Sequence, residues 1–183
     1  MRFVEPRDGD ELQNYYRSLS ARSRYNRFLG AMSELPPQVL DRFTHVGLVD
    51  GFTVVATMMV DSFETIVGEA RYAFHPADAS LEFGLSIEDR WQGHGIGSAL
   101  MKNLECRAAS LGAISLFGDT LRSNESMMAL ARKSGHAFVQ HPDDWKLVRF
   151  QKPINVPPND IPCASARIAA AAAREVEAPA LAV

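Results

Sequence analysis

Residues Gln92-Gly93-His94-Gly95-Ile96-Gly97-Ser98 decide how the chain is read. They follow an apolar run at 81–87 and a short polar loop. They lead into a stripe of Ile96, Leu100, Leu104, Ala108 and Leu111 at helical spacing, which Gly112 ends. Glycines lack a Cβ, so consecutive backbone N–H groups can approach one anion closely and point at it together. The helix behind them adds its own unpaired N–H groups and the positive end of its dipole. Such a segment predicts a diphosphate-binding turn that needs little side-chain charge.

Other glycine loops are separated by spacing. A Walker loop ends in Gly-Lys-Ser/Thr, which is absent here. A dinucleotide fingerprint needs a glycine where Ser98 stands, with an acidic residue about 20 positions on. Asp119 stands after a strand at about that distance, but the loop comes late in the chain, after a meander rather than at the start of a βαβ unit. A flexible turn without a ligand is the plain alternative. Three alternating glycines at a helix start weigh against it.

Outward from the loop, residues 2–5 read as a short edge strand stopped by Pro6. Asp8 and Glu11 fit a capping box ahead of Leu12, Tyr15, Tyr16 and Leu19. Ser20 opens a second helical stretch with Tyr25, Phe28 and Leu29 on one side, and Pro36-Pro37 a third with Val39, Leu40 and Phe43 buried. Residues 51–60, 65–75 and 81–87 read as an antiparallel meander, and 114–117 as a short buried strand. Ser123 or Asn124 opens a further helix that Gly135 ends, and 136–140 with 145–151 closes as a hairpin. The order predicts an α/β (α+β) domain over 1–153, with helices packed on a largely antiparallel sheet. Residues 154–183 are Pro/Ala-rich and read as a tail, with one helical piece at 164–175.

Composition narrows the function classes. With 183 residues, 46% hydrophobic and 22% charged, the chain can bury a core without staples. Cys106 and Cys163 form no framework and fit a reducing compartment. The start is charged, and the apolar run 54–60 is too short for a membrane helix. A net charge of −3 without a basic cluster argues against nucleic acid. The expectation is a cytoplasmic protein.

Gln92-Gly93-His94-Gly95-Ile96-Gly97 resembles the Gln/Arg-x-x-Gly-x-Gly/Ala signature of GNAT acetyltransferases. The likeness runs from the first strand to about Lys152. Within that superfamily, 20–28, 40–44 and 128–131 resemble the bacterial Pat-type protein lysine acetyltransferases. The resemblance implies a mixed sheet of six to seven strands and acetyl-CoA as acyl donor. It implies that the backbone of Leu85, Ser86 and Ile87 holds the pantetheine and that Asn124 touches the cofactor, although Asn124 also suits a plain helix cap. His94 lies inside the phosphate loop and is counted with it.

Acyl transfer from a thioester needs a neutral amine, and a lysine-like amine is deprotonated only about one time in a few thousand at pH 7. A base raised by burial would help. Glu82 interrupts the apolar run Leu81-Glu82-Phe83-Gly84-Leu85 and matches the glutamate that serves as base in the similar enzymes, directly or through a water. Strand alternation alone would make it an outward residue. A backbone N–H within 85–87 is expected to bond the oxyanion. The tyrosine that many of these enzymes place seven residues after the asparagine is replaced by Ala131, so the acid for the thiolate is unassigned, and Tyr72 fits the core better.

Cys106 falls off the apolar stripe of its helix, which disfavours an acyl-cysteine route. His45, His75, His136 and His141 show no ligand spacing, so no metal is expected. There is no Gly-x-Ser-x-Gly elbow. The acceptor is read as a protein lysine, with a small amine (amino acid, polyamine or antibiotic) as the second reading. A non-catalytic acyl-CoA-binding module is the third, and a homodimer is kept open.

Overall fold

The computed structural model describes residues 1–45 and 51–155. Its centre is a seven-stranded sheet in the order β1-β2-β3-β4-β5-β7-β6. The strands are β1 (Arg2–Phe3), β2 (Gly51–Val60), β3 (Phe63–His75), β4 (Ser80–Ile87), β5 (Ser115–Leu121), β6 (Ala137–Gln140) and β7 (Leu147–Pro153). All neighbours are antiparallel except β4 and β5. The helices are α1 (Gly9–Ser18), α2 (Ala21–Phe28), α3 (Pro37–Thr44), α4 (Ile96–Ser110) and α5 (Glu125–Lys133). The mixed, mainly antiparallel sheet is the expected one. The helical piece at 164–175 and Cys163 lie outside the described residues.

Each face of the sheet has its own core. On one, Leu100, Met101 and Leu104 of α4 pack on Leu81, Phe83, Leu116 and Phe150. On the other, Leu12, Tyr15 and Tyr16 of α1 meet Val55 and Ile66, with Val39, Leu40 and Phe43 of α3 half-buried beside them. Because side chains alternate along a strand, Leu81, Phe83 and Ile87 face α4 while Glu82, Gly84 and Ser86 face α1 and α2. The strand register slips between Ala56 and Thr57, where Val67 of β3 is the extra residue of a bulge.

Several local expectations change. Asp8 does not cap α1. Its Oδ2 accepts the Glu5 N–H at 2.7 Å, and both its oxygens take the Arg2 guanidinium at 2.6 and 2.9 Å. Those bonds close a short 3-10 turn at Pro6–Asp8. Glu11 reaches across to accept the Ile66 N–H at 2.7 Å, tying α1 to β3. Ser20 caps α2 as expected, and Phe28 packs half-buried against Tyr16, but Tyr25 is exposed, and so is Leu29, at the left-handed C-cap (φ 55°). Strand β5 is longer than the expected 114–117. Ile114 is exposed, while Gly118, Asp119 and Thr120 continue the ladder with β7. Ile154 still bonds the sheet, its N–H donating to Ile114 O at 2.9 Å.

Strands β4 and β5 pair only over Ser80–Ser115, Leu81–Leu116 and Glu82–Phe117. Beyond that, β4 stays with β3 to Ile87 and β5 stays with β7 to Leu121, so a wedge opens between them. Gly118 sits at its apex: a Cβ there would lie 2.7 Å from both Phe83 O and the Phe150 ring. Gly118→Ala should therefore destabilise the fold by about 1–3 kcal/mol through overpacking. Thermal melting checks this, and an unchanged Tm would show that the apex is not tightly closed.

Candidate active site

The glycine segment folds as its composition demands. Gly93 and Gly95 adopt φ of 79° and 86°, a region that residues with a Cβ avoid. Gly95 is the N-cap of α4 and no side chain caps the helix, so its first-turn N–H groups stay available. The Gln92 side chain donates from Nε2 to Ile87 O at 3.1 Å, pinning the loop to the end of β4 rather than reaching outward.

A cavity of about 830 Å³ runs from this loop through the wedge to α2. Gln92, Gly93, Gly95, Gly97, Ser98 and Asn124 line one end, and Leu85, Ser86 and Ile87 one wall. Two loop residues turn away. The His94 ring stays near its own backbone, Nδ1 2.9 Å from Gln92 O, and meets the edge of Trp91. Ile96 packs into the α4-side core. Asn124 Oδ1 accepts the Met127 N–H at 3.2 Å, capping α5, and its Nδ2 donates to Thr120 Oγ1 at 3.1 Å.

The backbone of β4 presents donors to the wedge. The Glu88 N–H donates to Val67 O at 2.9 Å, so the alternation of an antiparallel ladder turns the Ser86 N–H toward β3 as well. The N–H groups of Leu85 and Ile87 then point the other way, where β5 has departed. The Ser86 hydroxyl is committed below the strand, donating to Glu69 Oε1 at 2.7 Å and lying 2.9 Å from the Tyr15 hydroxyl.

Glu82 does not lie where a buried base would. Its side chain is half exposed, its Oε2 is 3.1 Å from His75 Nε2, and it stands at the last β4–β5 pair, outside the cavity lining. Next to it His75 stacks on Phe117, which also carries the Arg149 guanidinium at 4.5 Å. Arg149 donates twice to Asp119, at 2.8 and 2.9 Å, and Asp119 lines the cavity. His141 Nε2 lies 3.4 Å from the same carboxylate while its Nδ1 accepts the N–H groups of Asp143 and Asp144. Three histidines thus face carboxylates, His45 with Asp41 being the third. Among the described residues, no His/Cys/Asp/Glu group has the arrangement of a metal site.

Tyr72 is buried in the core with its hydroxyl accepting from Arg107 at 2.7 Å, and Ala131 is fully buried. The sequence reading missed Arg27, Glu69, Asp89 and Asp119. Glu69 gave a signal, as the one acidic residue in the apolar run 66–70. Asp89 binds the start of α2, accepting from the Ser20 N–H at 2.9 Å and from the hydroxyls of Ser20 and Ser23 at 2.8 Å. Burial works to raise its pKa, but these donors outweigh it and hold the carboxyl below the usual aspartate range.

The acetyltransferase (GNAT) family model matches residues 17–136. A curated relative, Acetyltransferase PA5475 of Pseudomonas aeruginosa, is 27% identical over 144 residues, covering 79% of this chain and 77% of its own. The GNAT domain of S. lividans PAT superposes with a TM-score of 0.75 at 24% identity, over 83% of this chain and 88% of that one. Spermidine N-acetyltransferase from Vibrio cholerae, in complex with CoA and spermine, superposes at 0.67 and 14% identity, over 84% and 94%. No helix among the described residues is long and apolar enough to cross a membrane.

Two outcomes are expected. Gly95→Ala has room for its methyl but must hold a positive φ, costing about 1–2 kcal/mol, and should weaken CoA binding in calorimetry. Because the Asp89 pKa is lowered on folding, the stability it carries is present above its unfolded value and lost as pH falls through the folded one. The protection factors of the α2 amides against hydrogen exchange should therefore fall below about pH 4, and Asp89→Asn should show low protection at all pH values.

Proposed function

The chain belongs to the GNAT acetyltransferase family, and on that premise we propose that it transfers the acetyl group of acetyl-CoA to a protein lysine, with Glu82 as general base. The observation that carries this reading is the continuous cavity joining the bare N-terminus of α4 to the α2 face of the sheet through the β4–β5 wedge.

The donors fit the substrate. A diphosphate suits the uncapped amides of the loop and the positive end of α4. Pantetheine, an extended chain with amide groups, suits the exposed edge of β4, where it would pair as a short strand. The thioester then reaches the wedge, and its carbonyl oxygen meets the Leu85 N–H. The acceptor amine comes from the α2 face, beside Glu82, Phe117 and Asp119. Both Asp119 oxygens already take bonds from Arg149. Glu82 is open to solvent on that face, so it takes the amine's proton through a water and passes it to bulk solvent or His75. No side chain at position 131 offers a proton to the thiolate, whose ordinary pKa near 8.5 lets it leave with solvent help.

The lysine acceptor is supported by the likeness to the GNAT domain of S. lividans PAT and by a cavity that extends to Arg22, Ser23 and Asn26 of α2. A polyamine is the second reading, favoured by the Asp119 carboxylate in the cavity wall and by the likeness to the V. cholerae enzyme. Thiol release measured with lysine peptides, spermidine and amino acids separates them, and activity with spermidine alone would reverse the order. Glu82→Gln should keep CoA affinity while kcat/KM near pH 7 falls by about 100-fold. Unchanged kcat/KM would remove Glu82 from the mechanism.

A further inference from the structure

Among the charged groups that line the cavity and that the mechanism above does not use is Arg27. Arg27, on the last turn of α2, lies across the α2 face of β4 with its side chain only 11% exposed. Its Nε and Nη2 donate to the Glu69 carboxylate at 2.5 and 3.1 Å. Glu69 is fully buried and is held in turn by the Ser86 hydroxyl at 2.7 Å, itself 2.9 Å from the Tyr15 hydroxyl. The guanidinium plane is therefore fixed by two bonds to an anchored carboxylate.

The third nitrogen, Nη1, has no hydrogen-bond partner among the described residues, and Arg27 lines the cavity. It reaches the floor there because residue 84 is glycine: a Cβ at that position would stand 3.0 Å from Nη1. Gly84 immediately precedes Leu85, whose N–H faces the wedge. Burial would lower the pKa of Arg27, but Glu69 raises it above the ordinary value, so the group remains a cation.

We propose that Arg27 is a catalytic residue whose Nη1 donates to the acetyl carbonyl oxygen, forming with the Leu85 N–H a two-donor site for the oxyanion. The inference rests on the acetyl-transfer reading above. As the amine lone pair attacks the carbonyl carbon, the C=O π pair moves onto oxygen, and the new negative charge lies between a backbone N–H and a fixed cation. When C=O re-forms, the C–S pair leaves with sulfur as CoA thiolate, and the amine proton goes to Glu82 through water. Arg27 keeps all its protons. Two pre-positioned donors aimed at a developing charge need no reorganisation at the moment of reaction.

The test pairs turnover with a measurement that needs none. The double variant R27Q/E69Q removes both charges while keeping a hydrogen-bonded pair. Gly84→Ala leaves the charge and displaces Nη1. R27Q/E69Q should lose about 100-fold in kcat and Gly84→Ala about 10-fold, while KM for acetyl-CoA stays within about threefold. The carbonyl resonance of bound [1-13C]acetyl-CoA, without acceptor, should lie downfield in the natural chain and move upfield in both variants. Unchanged kcat in both variants would overturn the proposal, and so would a loss of kcat with an unmoved resonance. Absence of acceptor-dependent thiol release from the natural chain would overturn the acetyl-transfer reading instead, and the resonance would still decide the carbonyl contact.

Discussion

The parting of β4 from β5 is the constraint on which the rest depends. Each strand keeps one hydrogen-bonded neighbour, β3 or β7, and gives up the other after three residue pairs. Backbone donors in the middle of a sheet are thereby left facing a gap, a costly arrangement unless something else satisfies them. An extended substrate chain with its own amides can do so. The uncapped N-terminus of α4 stands at one mouth of that gap and α2 at the other, so a single opening joins the two.

The two walls of the gap are built differently. On the α4 side they are apolar, with Leu85, Met127 and Leu130 packed against the larger core. On the α2 side charges are held in pairs, Arg27 with the buried Glu69 and, part-exposed, Arg149 with Asp119. A buried ion pair is weak as a source of stability, because desolvation offsets much of the attraction. Its value here is orientation: a guanidinium bonded through two nitrogens has a fixed plane. The bonds of Asp89 to Ser20 and Ser23 hold the start of α2 to the turn before the glycine loop, so both mouths of the cavity are tied through one carboxylate.

Glu82 shows how a strand position can be right for one reason and wrong for another. Alternation places it opposite the α4 core, as its residue type requires. The burial expected of a tuned base is missing, because the gap begins just beyond it and, among the described residues, the side chain stays half exposed. Its place in the strand is the expected one, while its half-exposed surroundings beside His75 differ from the buried ones expected.

Hydrophobic period and glycine placement were enough to determine the order of elements, the meander, the glycine turn at 92–98 and the long helix after it. These are local properties: alternation, helical spacing and positive φ are set within a few residues. Asn124 as a cap and Ser20 as a helix start were legible for the same reason. The burial of Arg27 and Glu69, 42 positions apart, the pairing of Asp119 with Arg149, and the carboxylate partners of His75 and His141 were not. Such contacts exist only once β3, β4, β5 and β7 lie side by side and α2 is docked across them. No local pattern encodes which charges that docking removes from water; only the packed sheet decides it.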